Sequence, residues 1–307
     1  MKIVIGSRDS KLAVIQSEMV IDAIRDFDPE LDVELVTMKT TGDMILDKTL
    51  DRIGGKGLFV KELDKALMDG RADLTVHSLK DLPMEVSDAL PLLAFSKRED
   101  PRDALVLRKG LTELPEKPVI GSSSLRRKLQ LEKLFPEAEI RPVRGNLQTR
   151  LRKLDSGDFD AIVLACAGIK RLGLEERISR LFSAEEILPA ACQGILAVQG
   201  RAGYQVPFLA GFDDETARLA ALAERSFVRT LDGGCSSPVA AYAEIDGDDI
   251  TVTGFYVDEE ENQYIDSIAG SKYEGEALGR QLALSLQAAA AADFAQFPER
   301  GTKHENR

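Results

Sequence analysis

A chain of 307 residues, 44% hydrophobic and 30% charged, is long enough for two or three domains and has the composition of a globular protein. No apolar run approaches the ~18–20 residues a bilayer requires, and Met1-Lys-Ile-Val-Ile-Gly-Ser-Arg8 enters a strand pattern with no secretory core. The net charge of −12 argues against nucleic acid or an anionic membrane as the main partner, and three cysteines argue for a reducing, cytoplasmic setting over a disulfide framework.

In chain order, Ile3–Ile5 reads as a strand, followed by the loop Gly6-Ser-Arg-Asp-Ser10. A helix then runs to Phe27, with Leu12, Ile15, Met19, Ala23 and Phe27 on one face and Ser10 as its N-cap. Asp32–Met38 is a second strand. Thr41 to Lys56 has poor periodicity and ends in Gly54-Gly-Lys-Gly57, the pattern of a long loop. A helix from Leu58 to Met68 follows, then a buried strand, Ala72–Val76, ending at His77-Ser-Leu-Lys-Asp-Leu-Pro83. The polar stretch Lys97-Arg-Glu-Asp-Pro101 reads as a crossing into a second domain.

There the β/α rhythm resumes. Strands are expected at Pro118–Ile120, Glu139–Val143 and Asp160–Ala165, with helices at Leu125–Leu134 and Leu147–Leu154 and a helical turn carrying Lys170 and Arg171. Ile195–Val198 reads as a strand returning to the first domain. A helix from Asp214 to Thr230 precedes three alternating strands, Val239–Ile245, Ile250–Val257 and Gln263–Ala269, which read as antiparallel. An alanine-rich helix from Glu276 to Phe297 and a polar tail close the chain, and no internal repeat stands out.

Strands alternating with helices imply parallel sheets whose ligands bind at the carboxyl ends of the strands. Four strand-to-helix loops there share one chemistry: Ser7/Arg8/Ser10, Ser78/Lys80/Asp81, Ser122/Ser124/Arg126/Arg127 and Arg144/Asn146. Helix starts offer free N–H groups, serine adds donors, and arginine adds a planar fork for carboxylates. Between Gly121 and Lys153 nine basic residues stand against three acidic ones in an otherwise acidic chain. That concentration fits a cleft for a ligand with several carboxylates or phosphates. No phosphate-binding P-loop or G-x-G-x-x-G pattern is present, which disfavours nucleotides.

Asp81 is an acid among bases, either a salt-bridged turn residue or a carboxylate facing positive charge on a substrate. His77 has no second histidine or cysteine nearby to form a metal site or a triad, and reads as structural. Cys235 sits in the turn Leu231-Asp-Gly-Gly-Cys-Ser-Ser-Pro238, where small neighbours leave room for a bulky group at its sulfur. A non-catalytic polyanion binder would leave Asp81 and Cys235 without a task.

Taken together, His77-Ser-Leu-Lys-Asp-Leu-Pro83, Gly55-Lys-Gly-Leu-Phe-Val-Lys-Glu-Leu63, Gly121-Ser-Ser-Ser-Leu-Arg-Arg127, Arg144-Gly-Asn146 with Arg150, and Gly233-Gly-Cys235 resemble the hydroxymethylbilane synthase (porphobilinogen deaminase) family. The resemblance implies an α/β fold: two periplasmic-binding-protein-like (type II) domains plus a smaller α+β domain with a three-stranded antiparallel sheet. The divisions expected are 1–97 with 195–213, 98–194 and 214–307. It implies head-to-tail joining of four porphobilinogen molecules with loss of ammonia, on a dipyrromethane cofactor held by a thioether to Cys235, and release of the product by water. The residues that match the family's cofactor grip are Ser78, Lys80, Asp81, Ser122, Ser124, Arg126 and Arg127. Those matching its substrate grip are Arg8, Ser10, Lys56, Phe59, Arg144, Arg150, Arg171 and Gln193. Asp81 matches the catalytic aspartate, and the loop Met44–Gly55 a lid over the cleft. The resemblance further implies a monomer, and the residues themselves read as cytoplasmic, without metal, nucleic acid or membrane.

Overall fold

The computed structural model describes residues 2–40, 60–233 and 238–296, with side chains to residue 293 of the last helix. The expected loop over 41–57, the expected helix start at Leu58, and Lys56, Phe59 and Cys235 lie outside the described residues.

The strands in chain order are β1 (Lys2–Arg8), β2 (Asp32–Met38), β3 (Leu74–Ser78), β4 (Leu92–Phe95), β5 (Asp103–Leu107), β6 (Val119–Gly121), β7 (Glu139–Arg141), β8 (Ala161–Ala165), β9 (Arg180–Leu181), β10 (Leu196–Gly200), β11 (Ala240–Asp246), β12 (Asp249–Val257) and β13 (Gln263–Ser271). The helices are α1 (Lys11–Phe27), α2 (Lys61–Met68), α3 (Leu125–Leu134), α4 (Leu147–Asp155), α5 (Cys166–Arg171), α6 (Glu215–Thr230) and α7 (Gly275–Gln296). α1 forms because Val20, Ile21 and Ile24 fall on one helical stripe, and it starts where Ser10 Oγ accepts from the Ala13 amide at 3.4 Å. β1 alternates in the same economical way, with Ile3 and Ile5 fully buried.

Two five-stranded sheets carry one topology. The first runs β2-β1-β3-β10-β4 and the second β7-β6-β8-β5-β9. In each, three strands are parallel, and the fourth in order is antiparallel to both of its neighbours. That odd strand enters each sheet from outside its own β/α succession: β10 returns after the second sheet is complete, and β5 opens the second sheet before β6. Strands β4, β5 and β9 are additions to the sequence reading. Leu92–Phe95 and Asp103–Leu107 are short apolar runs whose burial on both faces removes the alternation a half-exposed strand shows. β3 also runs two residues beyond the expected Val76, which carries His77 and Ser78 on the strand itself.

The chain crosses between these sheets twice, after β4 and before β10, and the crossings touch. The Glu99 amide donates to Gly194 O at 3.1 Å, and the Ser96 amide to Leu196 O at 2.9 Å. Gly194 sits at φ +93°, and a Cβ there would meet Glu99 O at 2.2 Å, so the contact admits glycine alone. The third sheet, β11-β12-β13, is wholly antiparallel and packs against α6 and α7. Gly279 lets those helices meet, since a Cβ on it would lie 2.2 Å from Ala223 O.

One core joins the parts. Leu79, Leu82 and Phe95 from the end of the first sheet pack with Cys192 and Ile195 of the second crossing and with Phe227, Ala241 and Val252 of the third unit. At its polar centre lies Glu224 of α6, fully buried, which accepts from Arg98 Nη2 at 2.7 Å, the Cys192 amide at 2.6 Å and the Ala243 amide at 2.7 Å. No helix among the described residues is long and apolar enough to cross a membrane.

Candidate active site

The loops singled out by their chemistry all leave the carboxyl ends of parallel strands. After β1, buried Ser7 donates to the Arg8 carbonyl at 2.9 Å, and Ser10 spends its oxygen on the α1 cap. After β3 a 3-10 turn, Leu79–Asp81, presents Lys80 and Asp81 while Leu79 is driven fully into the core. Arg8, Gln16, Val60, His77, Ser78 and Asp81 line one pocket there, with Asp81 exposed at its edge. Gln16, which the sequence reading passed over as part of a helix, is buried and donates from Nε2 to Ser78 Oγ at 3.0 Å, fixing that hydroxyl.

His77 is 6% exposed, and its Nε2 lies 2.9 Å from Thr75 Oγ1. Burial holds it down to about 4, with the Arg8 charge pushing the same way and a hydrogen bond to Gln199 opposing. It is a neutral wall residue at physiological pH, in keeping with the structural reading.

Across the cleft, α3 begins at Ser124, whose Oγ accepts from the Arg127 amide, and buried Ser122 in turn accepts from the Ser124 amide. Arg126 and Arg127 therefore leave the first turn side by side. Both are buried, and both meet a residue that the sequence reading missed: Asp103, fully buried at the start of β5. Asp103 accepts from Arg126 Nη2 at 2.8 Å, from Arg127 Nε at 3.0 Å and Nη2 at 2.7 Å, and from Gln193 Nε2 at 2.8 Å. Burial alone would raise this carboxyl, but the two guanidiniums and the bonds from Arg127 and Gln193 outweigh it and hold it well below the usual carboxylate range. Arg126 Nη1 also donates to Leu188 O at 2.6 Å. A guanidinium has about five N–H donors, so each arginine keeps donors beyond these bonds.

Gln193 is fully buried and reaches both sides: its Oε1 accepts from Lys80 Nζ at 3.2 Å while its Nε2 bonds Asp103 and, at 2.6 Å, Pro101 O. Burial pushes Lys80 down to about 8, with Arg127 and Arg126 adding to the shift and Asp81 and Asp103 opposing it. Arg150 donates from Nε to Gly145 O at 2.9 Å; burial, then the charge of Arg127, and also Arg144 bring it to about 10, against the pull of Asp81. Lys80, Arg126, Arg127, Arg144 and Arg150 thus share one electrostatic neighbourhood with Asp81 and Asp103. Arg171 stands apart at the crossings. Its Nη2 donates to Gly194 O at 2.6 Å, its Nε is buried without a hydrogen-bond partner, and burial brings it to about 10. Among the described residues, two buried arginines with half-buried Lys80, Arg144 and Arg150 near them suit a ligand bearing several carboxylates, and exposed Asp81 suits a centre that turns cationic.

Comparison with known proteins agrees with this chemistry. The family model described as "Porphobilinogen deaminase, dipyromethane cofactor binding domain" matches residues 3–206, and "Porphobilinogen deaminase, C-terminal domain" matches 218–288. Porphobilinogen deaminase of Alkaliphilus oremlandii is 59% identical over 287 residues, spanning 94% of this chain and 97% of that protein. The same enzyme of Acetivibrio thermocellus is 58% identical over 286 residues, spanning 93% and 98%. Among solved structures, the periplasmic aliphatic sulphonate binding protein SsuA from Escherichia coli is similar at 13% identity and a TM-score of 0.40, over 75% of this chain and 70% of that one. With the family models covering both the cleft loops and the antiparallel unit, this chain belongs to the porphobilinogen deaminase family.

Proposed function

We propose that this protein is a hydroxymethylbilane synthase, a transferase of tetrapyrrole biosynthesis that joins four porphobilinogen molecules head to tail, expels ammonia at each joining, and releases linear hydroxymethylbilane by hydrolysis. The observation that carries the reading is the convergence of Arg8, Ser78, Lys80 and Asp81 from one sheet with Arg126, Arg127 and Arg150 from the other. Porphobilinogen carries an acetate and a propionate, so a growing chain of pyrroles multiplies the carboxylates that such a cleft must grip.

The donor set fits a dipyrromethane. Ser78, Lys80, Ser122, Ser124, Arg126 and Arg127 hold its carboxylates, and Cys235 carries the thioether. When bound, that group supplies the pyrrole carbon to which the first substrate is joined. Arg8, Ser10, Arg144, Arg150 and Arg171, with Lys56 and Phe59, orient substrate carboxylates and rings, while buried Gln193 ties the crossing between them. Asp81 sits at the cleft edge, where its carboxylate stabilises the positive charge that develops on the aminomethyl carbon as ammonia leaves. It also accepts the pyrrole proton that must depart after each carbon–carbon bond forms.

We divide the chain into 1–97 with 195–213, 98–194 and 214–307, a reading supported by the three sheets and the two crossings among the described residues. We read the protein as cytoplasmic, a reading supported by the buried free thiols of Cys166 and Cys192, and as a monomer on its family membership.

The test is incubation of purified protein with porphobilinogen, with ammonia and product assayed, together with the intact mass and a peptide map. Ammonia release with dipyrromethane mass on the Cys235 peptide is the expected result. A protein that binds porphobilinogen but releases no ammonia and gains no pyrrole mass refutes the reading.

A further inference from the structure

Asp103 lies outside the set of groups that the reaction chemistry calls for, yet among the described residues it is a heavily engaged carboxylate beside the cleft arginines. Fully buried, it accepts four hydrogen bonds of 3.0 Å or less, three of them from Arg126 and Arg127. We infer that Asp103 is a positioning residue that sets the two guanidiniums in their ligand-gripping orientation and, through the Gln193 amide, holds Lys80 of the opposite sheet as a charged member of the same grip. The inference rests on the proposed function for what the grip holds.

The geometry supports each link. A bidentate contact from Arg127 Nε and Nη2 fixes the plane of that guanidinium, and Arg126 is pinned between Asp103 and Leu188 O. Without the carboxylate, two adjacent buried cations would repel each other, and their long side chains would regain rotamer freedom. The Gln193 amide cannot reverse its polarity: its NH2 donates to Asp103 and Pro101 O, so its oxygen is obliged to face Lys80 Nζ. Burial, with Arg127 and Arg126 beside it, makes Lys80 lose its proton more readily, and the charges of Asp81 and Asp103 oppose that loss. Asp103 therefore does two jobs with one charge, orienting the arginines and keeping Lys80 protonated near neutral pH.

Asp103→Asn separates this role from simple packing, since it preserves shape and removes charge. The test uses wild-type and variant proteins purified intact. Acetic anhydride labelling across a pH series, read on the Lys80 peptide by mass spectrometry, gives the pH at which this amine becomes nucleophilic. The intact mass gives the fraction carrying dipyrromethane. For Asp103→Asn we expect a folded protein by circular dichroism, a Lys80 midpoint clearly below the wild-type value, and at least a tenfold loss of loaded protein. Asp103→Glu, which restores the charge, should return the Lys80 midpoint toward wild type. If Asp103→Asn is recovered unfolded, Gln193→Leu decides. It leaves the carboxylate and both arginines in place but cuts the link, so Lys80 should again label at lower pH.

A folded Asp103→Asn protein that is fully loaded and labels Lys80 at the wild-type midpoint overturns the inference, as does an unchanged midpoint in Gln193→Leu. The wild-type mass and ammonia release report on the proposed function separately: a wild type without pyrrole mass or activity refutes that reading, while the labelling midpoints still decide the role of Asp103 toward Lys80.

Discussion

Removing Glu224 should loosen all three parts of the molecule at once. Its carboxylate is fully buried and accepts from Arg98, from the Cys192 amide of the second crossing and from the Ala243 amide of β11; Arg98 belongs to the first crossing. Arg98 also lies over the Tyr242 ring, 5.4 Å from its centroid. Glu224→Ala would leave a guanidinium with 13% of its side chain exposed without its counter-ion, and two buried amides without acceptors. Breaking a buried pair from one side costs about 3–5 kcal/mol, and each orphaned amide adds about 1–3 kcal/mol unless water reaches it. With water reaching both amides the loss stays at about 4 kcal/mol, a fall in Tm of roughly 8–16 °C on the scaling for 150–250 residues and less for a longer chain. Urea unfolding followed by circular dichroism measures it, with Arg98→Ala and the double variant closing a cycle. The double variant should be less destabilised than the sum of the singles, by about 1–3 kcal/mol. A Glu224→Ala loss under about 1 kcal/mol, or strict additivity, would show that the carboxylate does not couple the crossings to the third unit.

Asp81 is exposed at the cleft, so Asp81→Ala should leave stability within about 0.5 kcal/mol and retain the cofactor mass. Its turnover should fall by roughly 10²–10⁴-fold; near-normal ammonia release would remove Asp81 from the chemistry. Arg127→Leu takes two hydrogen bonds from Asp103 and a cation from the cleft, so the purified variant should lack dipyrromethane in its intact mass. Finding it fully loaded contradicts the assignment. His77 titrates near 4 in the folded protein against an ordinary 6.5, so the unfolded chain binds the extra proton first. The stability it contributes is present in full above about pH 6.5 and is lost as pH falls toward 4, by about 3 kcal/mol in all. His77→Asn should remove that slope, and urea unfolding curves that fall in parallel for both proteins would show that His77 does not titrate as argued.

The secondary structure was legible where one face of an element meets water. β2 and α3 have the bounds that the sequence predicts, because each shows the period of its own geometry and ends at a capping or turn residue. β4, β5 and β9 were not, because a strand buried on both faces, or only two residues long, has no period to read. The topological repeat was hidden for a related reason. The two five-stranded sheets share strand order and direction, which are non-local properties, while β5 and β10 occupy equivalent places at opposite ends of the chain order. No windowed comparison of residues aligns a strand that opens one unit with a strand that closes the other.

The site divides along the same line. Serine and arginine at helix starts announce an anion cleft because capping and donor chemistry are local, and Ser10, Ser124 and Asn146 all cap the helices that they precede. Asp103 announces nothing. In sequence it is the polar first residue of Asp103-Ala-Leu-Val-Leu107, indistinguishable from a solvated strand end, and its partners lie 23, 24 and 90 residues away. Yet this carboxylate explains how an acidic protein can keep arginines buried beside a lysine at all. Its negative charge offsets repulsion between the two buried guanidiniums it binds, while both keep N–H donors that a carboxylate-rich ligand can use. A second buried acid in its place would satisfy the cations internally and weaken the grip; a neutral residue would scatter them.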